Sequence, residues 1–215
     1  MDGSQRYRAV AGWGVAASVL VVVVMVYNVL ATWTDWRAYL LYEDALAGKA
    51  TLADLQAVED WADFFGDSVY LALALPAGIV VTVWLWRARI NAELLGGPGS
   101  QRRARAWVVG GWWPLANLWI PYQVISDVWQ ASAPRRPVSR ALIGVWSVAW
   151  VICLYVGRGY AYLVDKDTPT EDDLRRAIAY STIATVATVV AGVIILHVIH
   201  RVSTWQTQRR AEARR

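Results

Sequence analysis

Four long apolar runs, at 10–33, 69–86, 141–164 and 177–200, constrain this 215-residue chain more than any other feature in it. Each is close to or beyond the ~20 residues that a helix needs to cross a hydrocarbon core about 30 Å thick. No water reaches backbone N–H and C=O groups at that depth, so a crossing segment must close its own hydrogen bonds, and a helix does so locally. The expected fold is all-α: a polytopic integral membrane helix bundle of four transmembrane helices plus a re-entrant or interfacial broken helix. Hydrophobic residues make up 57% of the chain, more than a soluble domain carries. The aromatic inventory, 14 Trp and 10 Tyr against 2 Phe, favours amphipathic rings that settle at headgroup depth. Residues 1–215 are read as one membrane domain, with the first run retained as a span because it lacks the small-residue cleavage pattern of a signal peptide. Cys153 stands alone in the sequence, which excludes an intrachain disulfide.

Orientation follows from the arginines flanking the runs, since Lys and Arg accumulate on the cytoplasmic side. Arg6 and Arg8 precede the first run, and Arg87, Arg89, Arg102, Arg103 and Arg105 follow the second. Arg135, Arg136 and Arg140 precede the third, while Arg201, Arg209, Arg210, Arg214 and Arg215 follow the fourth. Fifteen of the 21 basic residues thus share one side, and thirteen of the 17 acids occupy the loops on the other. Both termini are expected in the cytoplasm, with the protein in the plasma membrane of a bacterium.

Residues 107–130 are apolar enough to be mistaken for a fifth span. A crossing there would carry the Arg135, Arg136 and Arg140 cluster outside and reverse everything downstream. Pro114 and Pro121 break the helix, and Asn117, Gln123 and Asp127 are expensive against lipid. A re-entrant element is expected instead, turning between Pro114 and Pro121 and returning as a short helix over 122–130. Irregular backbone at membrane depth is tolerated only when protein or a water-filled cavity surrounds it.

The loop 34–66 reads as acidic extramembrane helices, with mixed faces at Leu40, Leu41, Asp44 and Ala45 and at Leu52, Leu55, Gln56 and Glu59. Thr51 with Asp54, and Thr170 with Asp173, have the spacing of capping boxes, and Asp67 or Ser68 is placed to cap the second span. Small residues recur at Gly12 and Ala16, Ala74 and Gly78, Gly157 and Ala161, Ser181 and Thr185, and Ala184, Thr188 and Gly192. Such stripes let helices approach closely, within one bundle or, as the alternative, across a homo-oligomer interface.

Candidate site residues cluster where the second run ends. Arg87 and Asn91 are four apart and so share a helical face, with Arg89 beside them; guanidinium forks suit phosphate or carboxylate, although snorkelling to headgroups accounts for Arg89. Asp127 is the one acid between the flanking arginine clusters. Its bland role is an ion pair; shielded from arginine it would be the catalytic candidate, a proton donor. Arg158, inside the third run, is expected to snorkel toward the acidic loop. His197 and His200 lack further ligands at useful spacing, so no metal and no cofactor is expected. Glu59, Asp60 and Asp63 look superficially like the magnesium-binding acids of isoprenoid diphosphate enzymes but are better read as a solvated helix face on the outer side.

The stretch WLWRARINAELLG at 84–96, followed by GWWPLANLWIPYQVISDVWQAS at 111–132, resembles a family of uncharacterised membrane proteins common in actinobacteria, a domain of unknown function (number four-three-two-eight). The shared elements fall on Trp86, Arg87, Arg89 and Asn91, then on Trp112, Pro114, Asn117, Pro121 and Trp129. The resemblance implies a polytopic bacterial membrane protein and brings no activity with it; the Pro-rich extension of many such proteins is missing. Three functions fit the residues. The first is a module binding a membrane lipid, a hydrophobic small molecule or a membrane partner through Arg87, Arg89, Asn91, Trp112, Asn117 and Trp129. The second is a membrane-embedded enzyme on an isoprenoid or other lipid, for example a terpene cyclase, with Asp127 as acid and aromatic rings stabilising positive charge. A small transporter comes third, because Tyr27, Asn28 and Arg158 are nearly all the spans offer to line a path. Nucleic acid is not an expected partner, since topology accounts for the basic residues.

Overall fold

The computed structural model describes residues 7–51, 53–54, 56–57, 66–96, 101–113, 115–134, 137–166, 168 and 170–212. Its elements are α1 (Ala11–Leu46), α2 (Asp67–Gly96), α3 (Trp107–Gly110), a 3-10 turn (Ala116–Leu118), α4 (Ile120–Ser132), α5 (Ala141–Val164) and α6 (Glu171–Glu212). Among the described residues there is no strand. Helices α1, α2, α5 and α6 are the four long and apolar enough to cross a membrane.

Three of the four overrun the apolar runs that mark them, because hydropathy reports where lipid is tolerated and not where a helix stops. Helix α1 continues through Trp36 and Asp44 into what reads as a loop, and it ends at the first residue suited to ending it. Gly48 takes φ +69°, with its N–H on Ala45 O at 3.0 Å and the Lys49 N–H reaching back to Asp44 O at 2.9 Å. Those bonds satisfy carbonyls the last turn would otherwise leave open. Leu52, Leu55, Glu59, Asp60 and Asp63 lie outside the described residues, as do Pro114, Arg135, Arg136 and the side chain of Asp67.

Both capping boxes form. Thr51 Oγ1 accepts the Asp54 N–H at 3.3 Å while Asp54 Oδ2 accepts the Thr51 N–H at 2.9 Å. Thr170 and Asp173 repeat the exchange at 3.2 and 3.1 Å at the start of α6, where Lys166 Nζ also donates to Asp173 at 2.8 Å. Lys166 first, and Thr170 after it, hold the Asp173 carboxyl down at about 2. A carboxyl depressed in the folded state contributes stability above its unfolded value of ~3.9, and that contribution disappears as pH falls through the folded value. Acid unfolding between about pH 4 and pH 2 should therefore flatten in Asp173→Asn, followed by far-UV circular dichroism.

The chain divides into two compact units, and the division falls inside each of the four long helices: one unit comprises 1–21, 76–148 and 193–215, the other 22–75 and 149–192. In the second, a Cβ on Gly192 would overlap the Met25 side chain, so α6 meets α1 through a glycine. Thr32 Oγ1 lies 2.9 Å from Ser181 Oγ and 2.6 Å from Thr185 Oγ1, and Cys153 Sγ lies 3.1 Å from Thr188 Oγ1. Between helices in lipid, contacts of this kind take the place of the hydrophobic effect.

In the first unit the close approach is at Gly14, not at the expected Gly12. A Cβ on Gly14 would sit 2.8 Å from Ser203 Oγ, 3.3 Å from Ile199 Cγ2 and 3.4 Å from Trp84 Nε1, whereas Gly12 has nothing within 4 Å. Trp84, wholly buried, donates its indole N–H to Ser203 at 3.0 Å across the same contact. Gly14→Val should cost ~1–3 kcal/mol through overpacking, and Gly12→Val close to nothing, in thermal unfolding of the purified protein. Gly78 and Gly157 likewise have nothing within 4 Å of an added Cβ among the described residues.

The segment 107–130 is broken as its prolines require. Pro121 stands in the first turn of α4, where a missing N–H is harmless, so the helix starts two residues earlier than read from sequence and runs to Ser132.

Candidate functional site

The end of α2 carries a polar face that the sequence places on one side of a helix and the structure buries. Asn91 is fully enclosed: its Nδ2 donates to Arg8 O at 2.8 Å and Gln206 Oε1 at 2.9 Å, and its Oδ1 accepts the Arg8 N–H at 2.7 Å. Gln206 of α6, equally enclosed, donates to Ala88 O at 2.9 Å and Ser132 Oγ at 2.8 Å. Arg87 donates to Ala9 O at 3.3 Å and lies 5.1 Å over the Trp13 ring. The Arg87 and Asn91 face therefore holds the N-terminal segment and α6.

The two sequence blocks are each held to the stretch between them, one turn away. Arg89, 3% exposed, reaches Glu93 Oε1 at 3.2 Å and donates to Arg103 O, while Arg105 Nε donates to Glu93 Oε2 at 2.6 Å. Arg89 Nη1 is buried and bonds nothing among the described residues. Asp127 is also buried, 4% exposed, and both its oxygens are taken by Arg102, from Nε and from the backbone N–H, each at 2.8 Å. Its ion pair is the bland role of the sequence reading. Trp129 packs on Trp205 at 4.7 Å and on His197 at 6.2 Å between ring centroids. Trp112 and Asn117 are half-buried, with the Asn117 N–H on Trp113 O at 2.8 Å. Arg158 is exposed on α5.

These contacts frame a groove of about 730 Å³ lined by Arg103, Trp107, Gly110, Trp113, Leu115, Ala116, Trp119 and Ile120. Its walls are aromatic and aliphatic, and Arg103 is its one charged residue. Arg103 is anchored through Nε to Gln123 Oε1 at 2.7 Å and lies 6.0 Å over the Trp107 ring, and among the described residues nothing bonds its two Nη groups. Trp113 and Leu115 are 74% and 73% exposed, too apolar for a surface meant for water. A second hollow of about 480 Å³, lined by Leu95, Pro134, Trp205, Gln208, Arg209 and Glu212, offers a guanidinium already bound to Ala133 O at 2.7 Å. None of the six ligand residues read from sequence lines the groove. Its members carry their own signal, Trp at 107, 113 and 119, spaced by six across a broken helix that follows an arginine-rich stretch.

A family model described as a domain of unknown function (DUF4328) matches residues 47–204, more than two thirds of the chain. No curated protein and no solved structure matches it.

Proposed function

The chain belongs to the family of the domain of unknown function DUF4328, and on that premise we propose that it is a bacterial plasma-membrane protein that binds an anionic lipid in the groove beside Arg103. The observation that carries this reading is a guanidinium with both Nη groups unbonded among the described residues, fixed at the edge of an otherwise apolar, Trp-lined groove. Arg103 supplies the planar fork that a phosphate oxygen pair accepts, Trp107 and Trp119 supply rings of interfacial character, and Trp113 and Leu115 supply the surface for an acyl chain. The arginine bias puts this face, with both termini, on the cytoplasmic side, and residues 107–130 then enter the membrane from that side as a re-entrant element within a single domain. An enzyme using Asp127 as acid draws no support from a carboxylate held by Arg102 on both oxygens.

Native mass spectrometry of the full chain released from nanodiscs tests the reading. Phosphatidylglycerol should be retained over phosphatidylcholine, and Arg103→Gln should remove the preference without lowering the unfolding temperature. Inorganic phosphate should not displace the lipid, because the groove walls have no hold on it. Equal retention of both lipids by the parent chain would overturn the proposal.

A further inference from the structure

The unit formed by 22–75 and 149–192 holds an acid that the groove does not use. Asp35, on α1, accepts hydrogen bonds from the Tyr160 hydroxyl of α5 at 2.9 Å and the Ser181 hydroxyl of α6 at 2.5 Å. Both donors stand about a turn inside their apolar runs, while Asp35 lies two residues beyond its own, so the carboxyl sits close to the level where the runs stop. The nearby cations are engaged elsewhere or turned outward. Arg37 stacks over Trp33 at 5.7 Å, Lys166 pairs with Asp173, Arg175 pairs with Glu171, and Arg158 and Arg176 are exposed. Among the described residues no Lys or Arg forms an ion pair with Asp35. A half-buried acid with no ion-pair partner among the described residues is costlier as an anion than one in water.

From Asp35 a chain of hydroxyls leads back along α1. Ser181 Oγ lies 2.9 Å from Thr32 Oγ1, which lies 2.6 Å from Thr185 Oγ1, and Thr185 Oγ1 donates to the Asn28 carbonyl at 3.3 Å. Positions 28, 32 and 35 form one stripe of α1 over ~10 Å, and 181 and 185 form the facing stripe of α6. The donor count closes in two ways. With a proton on Asp35, Asp35 donates to Ser181, Ser181 to Thr32, Thr32 to Thr185 and Thr185 to the carbonyl. Without it, Ser181 donates to Asp35, Thr32 turns back to Ser181, and Thr185 leaves the carbonyl to donate to Thr32.

We propose that Asp35 is a reversible proton-binding site in the helix bundle, and that its loading reverses the Ser181 and Thr32 hydroxyls that tie α1 to α6. One proton from water adds to a carboxylate oxygen, and no other covalent bond changes. Infrared difference spectra of the full chain in nanodiscs, recorded as pH is lowered from alkaline, test this through the carbonyl stretch of a protonated carboxyl. The band should be missing at high pH, grow in as pH is lowered, and be absent from Asp35→Asn. In Ser181→Ala, which keeps the acid, it should move to higher frequency and survive to higher pH, because the anion loses a donor. Absence of the band at every pH at which the chain stays folded, its persistence in Asp35→Asn, or its removal by sodium at constant pH would each overturn the proposal.

Discussion

Gln206→Leu should lower stability by on the order of 3 kcal/mol, because one enclosed side chain closes three hydrogen bonds, two to α2 and one to α4. The apolar replacement fills the space but strands Ser132 Oγ and weakens the hold on Asn91, both at 0% exposure. A buried polar group without a partner costs more than the bond itself was worth. Asn91→Ala should cost a similar amount by releasing the Arg8 backbone as well. The double substitution should fall short of the sum, since the second change removes a partner already lost. Thermal unfolding of the four proteins in one detergent measures the coupling, and strict additivity would mean that α2, α6 and the N-terminal segment are not tied through this cluster.

Arg102→Ala and Asp127→Asn break the same ion pair and should not cost the same. The Asp127 side chain is 5% exposed and that of Arg102 45% exposed. Removing the arginine leaves a carboxylate enclosed with one backbone N–H, at a cost of roughly 2–3 kcal/mol, the lower part of the buried-pair range because solvent reaches the pair from the Arg102 side. Removing the acid frees a guanidinium that can turn into water, at about 1 kcal/mol or less. The asymmetry separates an anchor that holds the 101–113 stretch on α4 from an acid poised for catalysis. Equal losses would contradict the enclosure of Asp127.

The four long helices were legible because lipid imposes one rule on sequence, a long run of apolar residues, and the capping boxes because Thr and Asp three apart have few other uses. Helix ends were not legible where polar residues continue the helix beyond the apolar run, as Trp36–Leu46 does in α1. The functional face was half legible. Arg87 and Asn91 share a face as their spacing demands, yet spacing cannot say what that face meets, and the N-terminal segment and Gln206 are remote in sequence. Arg103 was counted as a topology marker and passed over as a ligand residue for the same reason, since Gln123 and Trp107 single it out only once the chain has folded.

The groove is the centre of the account, and quenching of tryptophan fluorescence by lipids brominated on the acyl chain measures its occupancy most directly. With brominated phosphatidylglycerol in nanodiscs, the parent chain should be quenched more strongly than with brominated phosphatidylcholine at the same bilayer content. The difference should shrink in Arg103→Gln, shrink with added salt, and lose its largest component in Trp113→Phe. Equal quenching by the two lipids in the parent chain, or a preference untouched by Arg103→Gln, would contradict the groove as an anionic-lipid site.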